Sequence, residues 1–398
     1  MNKNSIIQPS DRMQYLPEYL FGKLNARKLK MRKAGRDIID FGMGNPDQPT
    51  DPLIVEKLKD VAEDDRAHRY SVNKGIPHLR QAVADHYHQY YQVILDPDSQ
   101  IISTIGSKEG VSHLSLALVG QGDLCVVPQP AFPVHVWSTV IAGGVVAGVP
   151  VDSNPDTFIN SIEKDIQQRG SKPKVLFLNF PHNPTTTVVD LHFFEKIISW
   201  AHQHKVFVVH DFAYKDITYD GYTAPSILQV DGAQEVAVEF ISMSKSFNMA
   251  GWRCGFCVGN TEAISLLEQI KGYYDYGIFT PVQVAAISAL RNSETLIPKI
   301  ARKYQQRRDA LVDGLSRSNW IIPKPKAAMF VWAEIPEEFR HWGSLGFADL
   351  LLEDAEVLVS PGIGFGDEGD NYIRMSLIEN TERIRQAVKQ INKVIRRG

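Results

Sequence analysis

Ser242-Met243-Ser244-Lys245-Ser246-Phe247-Asn248-Met249-Ala250-Gly251-Trp252-Arg253 follows directly on Val238-Glu239-Phe240-Ile241. The preceding run reads as a buried strand, so Lys245 falls just past a strand end. An ammonium there is costly to desolvate unless it is paired. One chemistry needs such a lysine, a Schiff base with an aldehyde cofactor. Burial near other cations lowers the amine below its usual pKa of ~10.4 and frees the nucleophilic lone pair. The hydroxyls of Ser242, Ser244 and Ser246, with Arg253 eight residues after the lysine, have the composition of a phosphate site. Together these describe a pyridoxal-phosphate anchor. The alternative is an ordinary lysine in a surface loop.

The chain has 398 residues, enough for two or three domains and a large core. Hydrophobic residues make up 43% and charged residues 22%, which fits a globular protein and not a disordered one. The formal net charge of −3 carries none of the basic bias of a nucleic-acid binder. No apolar run nears the ~20 residues of a membrane helix, and Met1–Pro9 lacks a signal-peptide core. Three cysteines make no disulfide framework, so a cytoplasmic protein is expected.

Residues 1–36 begin polar and turn basic and helical, with an aromatic segment at Tyr15–Phe21 suited to docking on a partner subunit or inside the chain. A short strand, 37–41, runs into the turn Gly42-Met43-Gly44-Asn45-Pro46-Asp47, which brings backbone close to something or is a plain loop. Helices follow at 51–64, capped by Asp51 with Pro52 first, and at 77–91. The strand 101–105 leads to Gly106-Ser107-Lys108-Glu109-Gly110 and a helix to about Leu118. A strand, a glycine turn and a helix N-terminus make an anion site or an ordinary connection.

Strands then alternate with helices. Leu124–Val127 ends at Phe132, Val175–Asn179 at Asn183, Val206–His210 at Asp211 and Val238–Met243 at Lys245, with further strands at 145–149 and 253–258. Near-continuous apolar strands imply a buried parallel or mixed sheet, whose ligands sit at the carboxyl ends of strands. The polar residues of interest, Ser107, Asn183, Asp211 and Lys245, all stand there, as does Phe132. After about 260 the chain is helical through 283–290 and 299–315. Strands follow at 327–332, 357–359 and 372–377, and a basic helix at 383–397.

Three patterns mislead. Gly364-Phe365-Gly366-Asp367-Glu368-Gly369 fits a dinucleotide fingerprint, but a strand follows where that motif needs a helix. Cys254-Gly255-Phe256-Cys257 sits in a strand, where residues three apart face opposite ways. His86/His88 and His202/His204 are two apart in helices and diverge. No metal site is expected.

Taken in order, Met43-Gly44-Asn45-Pro46-Asp47, Tyr70 with Gly75-Ile76-Pro77, Gly106–Gly110, Phe180-Pro181-His182-Asn183-Pro184-Thr185, His210-Asp211-Phe212-Ala213-Tyr214, Ser242–Lys245 with Arg253, and Arg374 with Ile378-Glu379-Asn380 resemble one family. It is the class I/II, fold-type I pyridoxal-phosphate aminotransferases. Within it the chain resembles the bacterial alanine aminotransferase branch, a neighbour of the LL-diaminopimelate aminotransferases. The resemblance runs from about Tyr15 to the last helix. It implies that Lys245 forms the Schiff base with pyridoxal 5'-phosphate and shuttles the proton. Asp211 would pair with the pyridine nitrogen, and Tyr214, with Asn183 beside it, would bond the phenolic oxygen. Phe132 would stack on the ring. Ser107, Lys108, Ser242, Ser244 and Arg253 would hold the phosphate, with Tyr70 reaching it from the partner of a homodimer. Arg374 would clamp the substrate α-carboxylate, helped by Gly44 and Asn183.

Two departures stand out. Near relatives have tyrosine where Phe132 stands. Aspartate-type relatives carry an arginine near 272–281, and this chain has none there. Alanine with 2-oxoglutarate therefore fits better than aspartate, and the distal carboxylate of glutamate needs another partner. The implied architecture is α/β. A large domain, 61–290, would hold a mostly parallel seven-stranded-type sheet between helices. Residues 1–60 would form the arm and part of a smaller α+β domain completed by 291–398. The expected function is alanine:2-oxoglutarate transamination of small amino and 2-oxo acids. The alternatives are another aminotransferase such as LL-diaminopimelate, or a β-lyase or synthase on the same fold. A sensor module fused to a DNA-binding segment finds no room before Asp37.

Overall fold

The computed structural model describes residues 6–18 and 20–397. The expectations for Met1–Ser5 and for Tyr19 lie outside the described residues. Twelve strands follow in chain order: β1 (Ile39–Asp40), β2 (Ile101–Thr104), β3 (Leu124–Gln129), β4 (Val145–Pro150), β5 (Val175–Leu178), β6 (Phe207–Asp211), β7 (Ala237–Ser242), β8 (Gly255–Gly259), β9 (Phe330–Glu334), β10 (Val357–Leu358), β11 (Ser360–Pro361) and β12 (Tyr372–Ser376).

The central sheet has seven strands in the order β2-β8-β7-β6-β5-β3-β4. Only β8 runs against its neighbours β2 and β7; the other pairings are parallel. Successive side chains point to opposite faces, so each strand feeds two cores. Leu176, Val208, Ile241 and Phe256 pack on one face with Leu79, Phe193 and Ala285 of the helices Pro77–Tyr91, Leu191–His204 and Thr280–Arg291. Phe177, Val209, Phe240 and Cys257 pack on the other with Val111, Val134 and Leu267 of the helices Ser107–Leu118, Pro133–Ala142 and Thr261–Tyr274. Cys254 belongs to the first core and Cys257 to the second, so the two thiols do face apart.

A second, antiparallel sheet has the order β11-β12-β9. Its core joins Val331, Ile373 and Met375 to Leu311, Leu351 and Ile384 of the helices Ser293–Leu315, Gly343–Asp354 and Thr381–Ile395. β1 pairs in parallel with β10, and the helix Leu20–Lys33 packs Leu24 and Met31 beside Ile38 and Leu358.

Most expected elements are present within a few residues. Asp51 caps its helix by accepting from Leu53 N, with Pro52 first. The strand expected at 327–332 begins only at Phe330: Ala328 has φ 67°, and Ala327 makes just a single bridge to Thr218. The helix expected from Lys299 starts earlier, at Ser293, and carries Pro298 inside it. Pro155–Arg169 and Gly343–Asp354 are helices that the sequence reading passed over. Gly364–Gly369 leads into β12 as expected. Among the described residues no helix is long and apolar enough to cross a membrane.

Candidate active site

A cavity of about 690 Å³ opens at the carboxyl ends of β5, β6 and β7, facing the second sheet. It is lined by every site residue named from the sequence except Tyr70, residues spread from Gly44 to Arg374. Tyr70 lies outside it, 86% exposed, with its ring 4.8 Å from that of Tyr276.

Lys245 occupies a short helix, Met243–Ser246, whose Ser242 cap accepts from Ser244 N. Its Nζ donates to Gly44 O at 2.6 Å, so the turn at Gly42–Asp47 does bring backbone to the site. Part of the side chain faces the open cavity, yet protein crowds the amine. That burial, then the charges of Arg374 and Arg253, pulls Lys245 from 10.5 down to about 7.

Asp211 ends β6 and is buried. Its Oδ2 meets His135 Nε2 at 3.0 Å, and its Oδ1 has no protein partner. A buried carboxylate oxygen left unbonded marks a place for an external donor. His135 was not foreseen. It lies one helical turn past Phe132, and its partner is 76 residues away, so no local signal marks it. Asn179 was missed for the same reason. Its Nδ2 donates to Asp211 O at 2.7 Å and its Oδ1 accepts from Asn183 N at 2.9 Å, holding the two strand ends together. Asn183 Nδ2 reaches the Tyr214 hydroxyl at 3.4 Å, and burial pushes that hydroxyl well above its ordinary pKa.

Ser107 opens the helix Ser107–Leu118 behind Gly106, which has φ 77°. A Cβ on Gly106 would stand 2.2 Å from Arg253 Nη2, so only glycine lets the guanidinium lie across this turn. Arg253 donates to Ala250 O at 2.9 Å and to Ile105 O at 3.4 Å. Lys108, Ser242 and Ser244 line the same end of the cavity. Behind the turn, Glu109 Oε2 accepts from Ile105 N at 2.7 Å. Lys271 Nζ bonds Glu109 and Asp275, each at 3.0 Å, so the two carboxylates grouped with His113 are already paired with a cation.

Arg374, on β12, is buried. It donates to Asn183 Oδ1 at 2.8 Å, and its Cζ lies 4.2 Å from the Phe330 ring centre and 4.6 Å from that of Phe365. The apolar rings fix the plane of a fork suited to a carboxylate.

An amine titrating near neutrality, an unfilled carboxylate oxygen and a cationic helix N-terminus match an aldehyde, a ring nitrogen and a phosphate. The residues therefore fit pyridoxal phosphate, and fold and site define a pyridoxal-phosphate-dependent aminotransferase. The pattern of the aminotransferase class I and II family matches residues 36–391, and the chain belongs to that family. Glutamate-pyruvate aminotransferase AlaC of Escherichia coli K12 is 52% identical over 97% of this chain and 93% of its own length. An LL-diaminopimelate aminotransferase of Moorella thermoacetica is 40% identical over 98% of this chain and 99% of its own. Among solved structures, substrate-bound BacF of Bacillus subtilis superposes with a TM-score of 0.91 at 34% identity, covering 98% of each chain.

Proposed function

We propose that this enzyme moves the amino group between alanine and 2-oxoglutarate, giving pyruvate and glutamate. The observation that carries the reading is the pairing of Lys245, lowered to about 7 and bonded to Gly44 O, with Arg374 across one cavity. The similarity to a glutamate-pyruvate aminotransferase supports alanine as donor. So does the lack of arginine in 272–281.

When bound, pyridoxal phosphate supplies an aldehyde for the amino group and a ring that accepts the electron pair left as the Cα proton departs. Arg374 holds the α-carboxylate with two parallel hydrogen bonds and so fixes which substituent of Cα faces Lys245. Lys245 Nζ, partly unprotonated at neutral pH, takes that proton and returns it. Asp211, steadied by His135, keeps a proton opposite its Oδ1. Tyr214 stays protonated as a donor beside Asn183. Ser107, Lys108, Ser242, Ser244 and Arg253 would hold the phosphate, and Phe132 would pack on the ring.

The reading also takes the molecule as a homodimer in which Tyr70 completes the partner's phosphate site. The exposure of Tyr70 and of Tyr276 beside it supports this. It divides the chain into 1–60, 61–290 and 291–398, with substrate between the two larger parts. Three free, buried cysteines support a cytoplasmic location.

A second reading, LL-diaminopimelate as donor, draws on the carboxylate of Glu379 in the cavity lining, which suits a distal ammonium, that of Asp40 being paired with Lys28. A stopped-flow screen of single half-reactions separates the two. Alanine and glutamate are expected to bleach the cofactor band fastest; a preference for LL-diaminopimelate would move the assignment to the second reading.

A further inference from the structure

The helix Leu20–Lys33 closes one side of the cavity. Phe21, Asn25, Lys28 and Arg32 all line it, at the spacing of a single helical face. Arg27 and Arg36 are paired elsewhere, with Asp349, Glu353 and Glu356, which ties this helix to the helix Gly343–Asp354 and the turn after it. The cavity's other cations have partners or roles. Lys28 is neutralised by Asp40 at 2.6 Å, Lys108 and Arg253 stand at the phosphate end, Lys245 takes the aldehyde and Arg374 the α-carboxylate. Arg32 is left. It donates to Ile38 O at 2.7 Å and has no carboxylate within ion-pair distance among the described residues.

We infer that Arg32 binds the distal carboxylate of a five-carbon dicarboxylic substrate, in place of the arginine missing from 272–281. The inference rests on the transaminase reading above. Length decides which substrates can use it. Arg374 Nη2 donates to Gly42 O, and Arg32 Nη2 to Ile38 O, four residues back along the segment that contains β1. At ~3.3 Å per residue these two carbonyl oxygens are at most ~13 Å apart, and the guanidinium nitrogens bonded to them, 3.3 Å and 2.7 Å away, at most ~19 Å apart. An extended five-carbon diacid has ~5 Å between its carboxyl carbons, from bonds of ~1.5 Å. Adding each carboxylate oxygen and a charge-assisted hydrogen bond of ~2.8 Å at both ends brings the span to ~13 Å. On this inference glutamate and 2-oxoglutarate bridge Arg374 and Arg32, their ~13 Å span falling inside that bound. Alanine and pyruvate cannot, and bind through Arg374 alone. One cavity then serves a substrate with a distal charge and one without, because the second cation stands at the rim and is not buried in the side-chain pocket.

The test compares Arg32→Gln with Arg32→Lys in the holoenzyme. For Arg32→Gln, kcat/KM in the glutamate half-reaction is expected to fall at least tenfold more than in the alanine half-reaction, with Arg32→Lys recovering part of the loss. Calorimetric titration with glutarate, which has both carboxylates and no amino group, should show a tenfold or greater weakening in Arg32→Gln. Equal losses for alanine and glutamate, or unchanged glutarate binding, would overturn the assignment. A wild type that fails to react with alanine but loses glutarate affinity on Arg32→Gln would overturn the alanine reading and leave the Arg32 site standing.

Discussion

An amine that titrates near 7 is half unprotonated at a pH where an exposed lysine is almost fully charged. At Lys245 this follows from burial first and from two arginines second. The sign can be followed through folding. Between about 7 and 10.5 the unfolded chain keeps a proton on Lys245 that the folded chain has lost. In the cofactor-free protein the lysine's contribution to stability therefore rises with pH across that window and is least favourable below it. Acylation of Lys245 in cofactor-free protein, followed by peptide mapping, is expected to reach half its limiting rate near pH 7; a midpoint near that of free lysine would remove the argument for a depressed amine. Asp211 gives a second prediction at this scale. Asp211→Asn keeps the shape of the side chain and its place beside His135 but loses the charge facing the ring nitrogen. Cofactor should still bind and colour the protein, while kcat falls by on the order of 4 kcal/mol or more in barrier. Because the carboxylate contact proposed here is made by Arg374, KM should change far less. Near-normal half-reaction rates would remove Asp211 from the chemistry. Lys245 and Asp211 were legible because each ends an apolar run at a strand end; Arg374 was reached only through the family resemblance. His135 was not, because its partner is set by the packing of a helix on the sheet and not by any local pattern.

The element that shapes the phosphate end is the turn from β2 into the Ser107–Leu118 helix. Gly106 has φ 77° and ψ 156°, a region in which side chains are strained by about 1–3 kcal/mol. A methyl there also lands on the Arg253 guanidinium, which is flexible enough to move away but only by leaving the place proposed for it beside the phosphate. Gly106→Ala should weaken cofactor binding nearly as much as Arg253→Ala, by roughly 2–5 kcal/mol. The double variant should be no worse than the Arg253 change alone. Additive losses in a cofactor titration would show that the two residues act separately. The same scale explains what could be read of the fold. β5, β6 and β7 announce themselves as buried on both faces, and the Pro52 and Pro77 helices through their first residues. The helix Pro155–Arg169 hides among polar residues, although Asn154 caps it and left-handed Gly170 ends it. The start of β9 was misplaced because the left-handed turn at Ala328 leaves no mark in residue type.

For the whole molecule, the exposure of Tyr70 is the feature that a single chain leaves unexplained. Tyr70 stands against Tyr276, and both rings are exposed. In the proposed dimer Tyr70→Phe removes one hydrogen bond to a charged group, worth about 1.5–3 kcal/mol, and cofactor affinity should drop accordingly. Sedimentation should show a dimer at the concentrations used for assay; a fully active monomer would refute the shared site.

The reversed strand β8 also bears on how the chain assembles. Because β8 turns back beside β7, Ser242 pairs with Gly255, and the lysine and arginine of the anchor hang on one short loop with hydrogen-bonded ends. The contact from Ser360 to Gly42, which brings the small sheet over the site, closes 318 residues. By chain entropy the longer closure costs about 3 kcal/mol more. The cofactor anchor is thus a local product of folding and can form early, whereas the carboxylate clamp on β12 must wait for the two ends of the chain to meet. A folding intermediate with the first and without the second would hold the lysine and arginine in place with no fork yet standing to select a substrate.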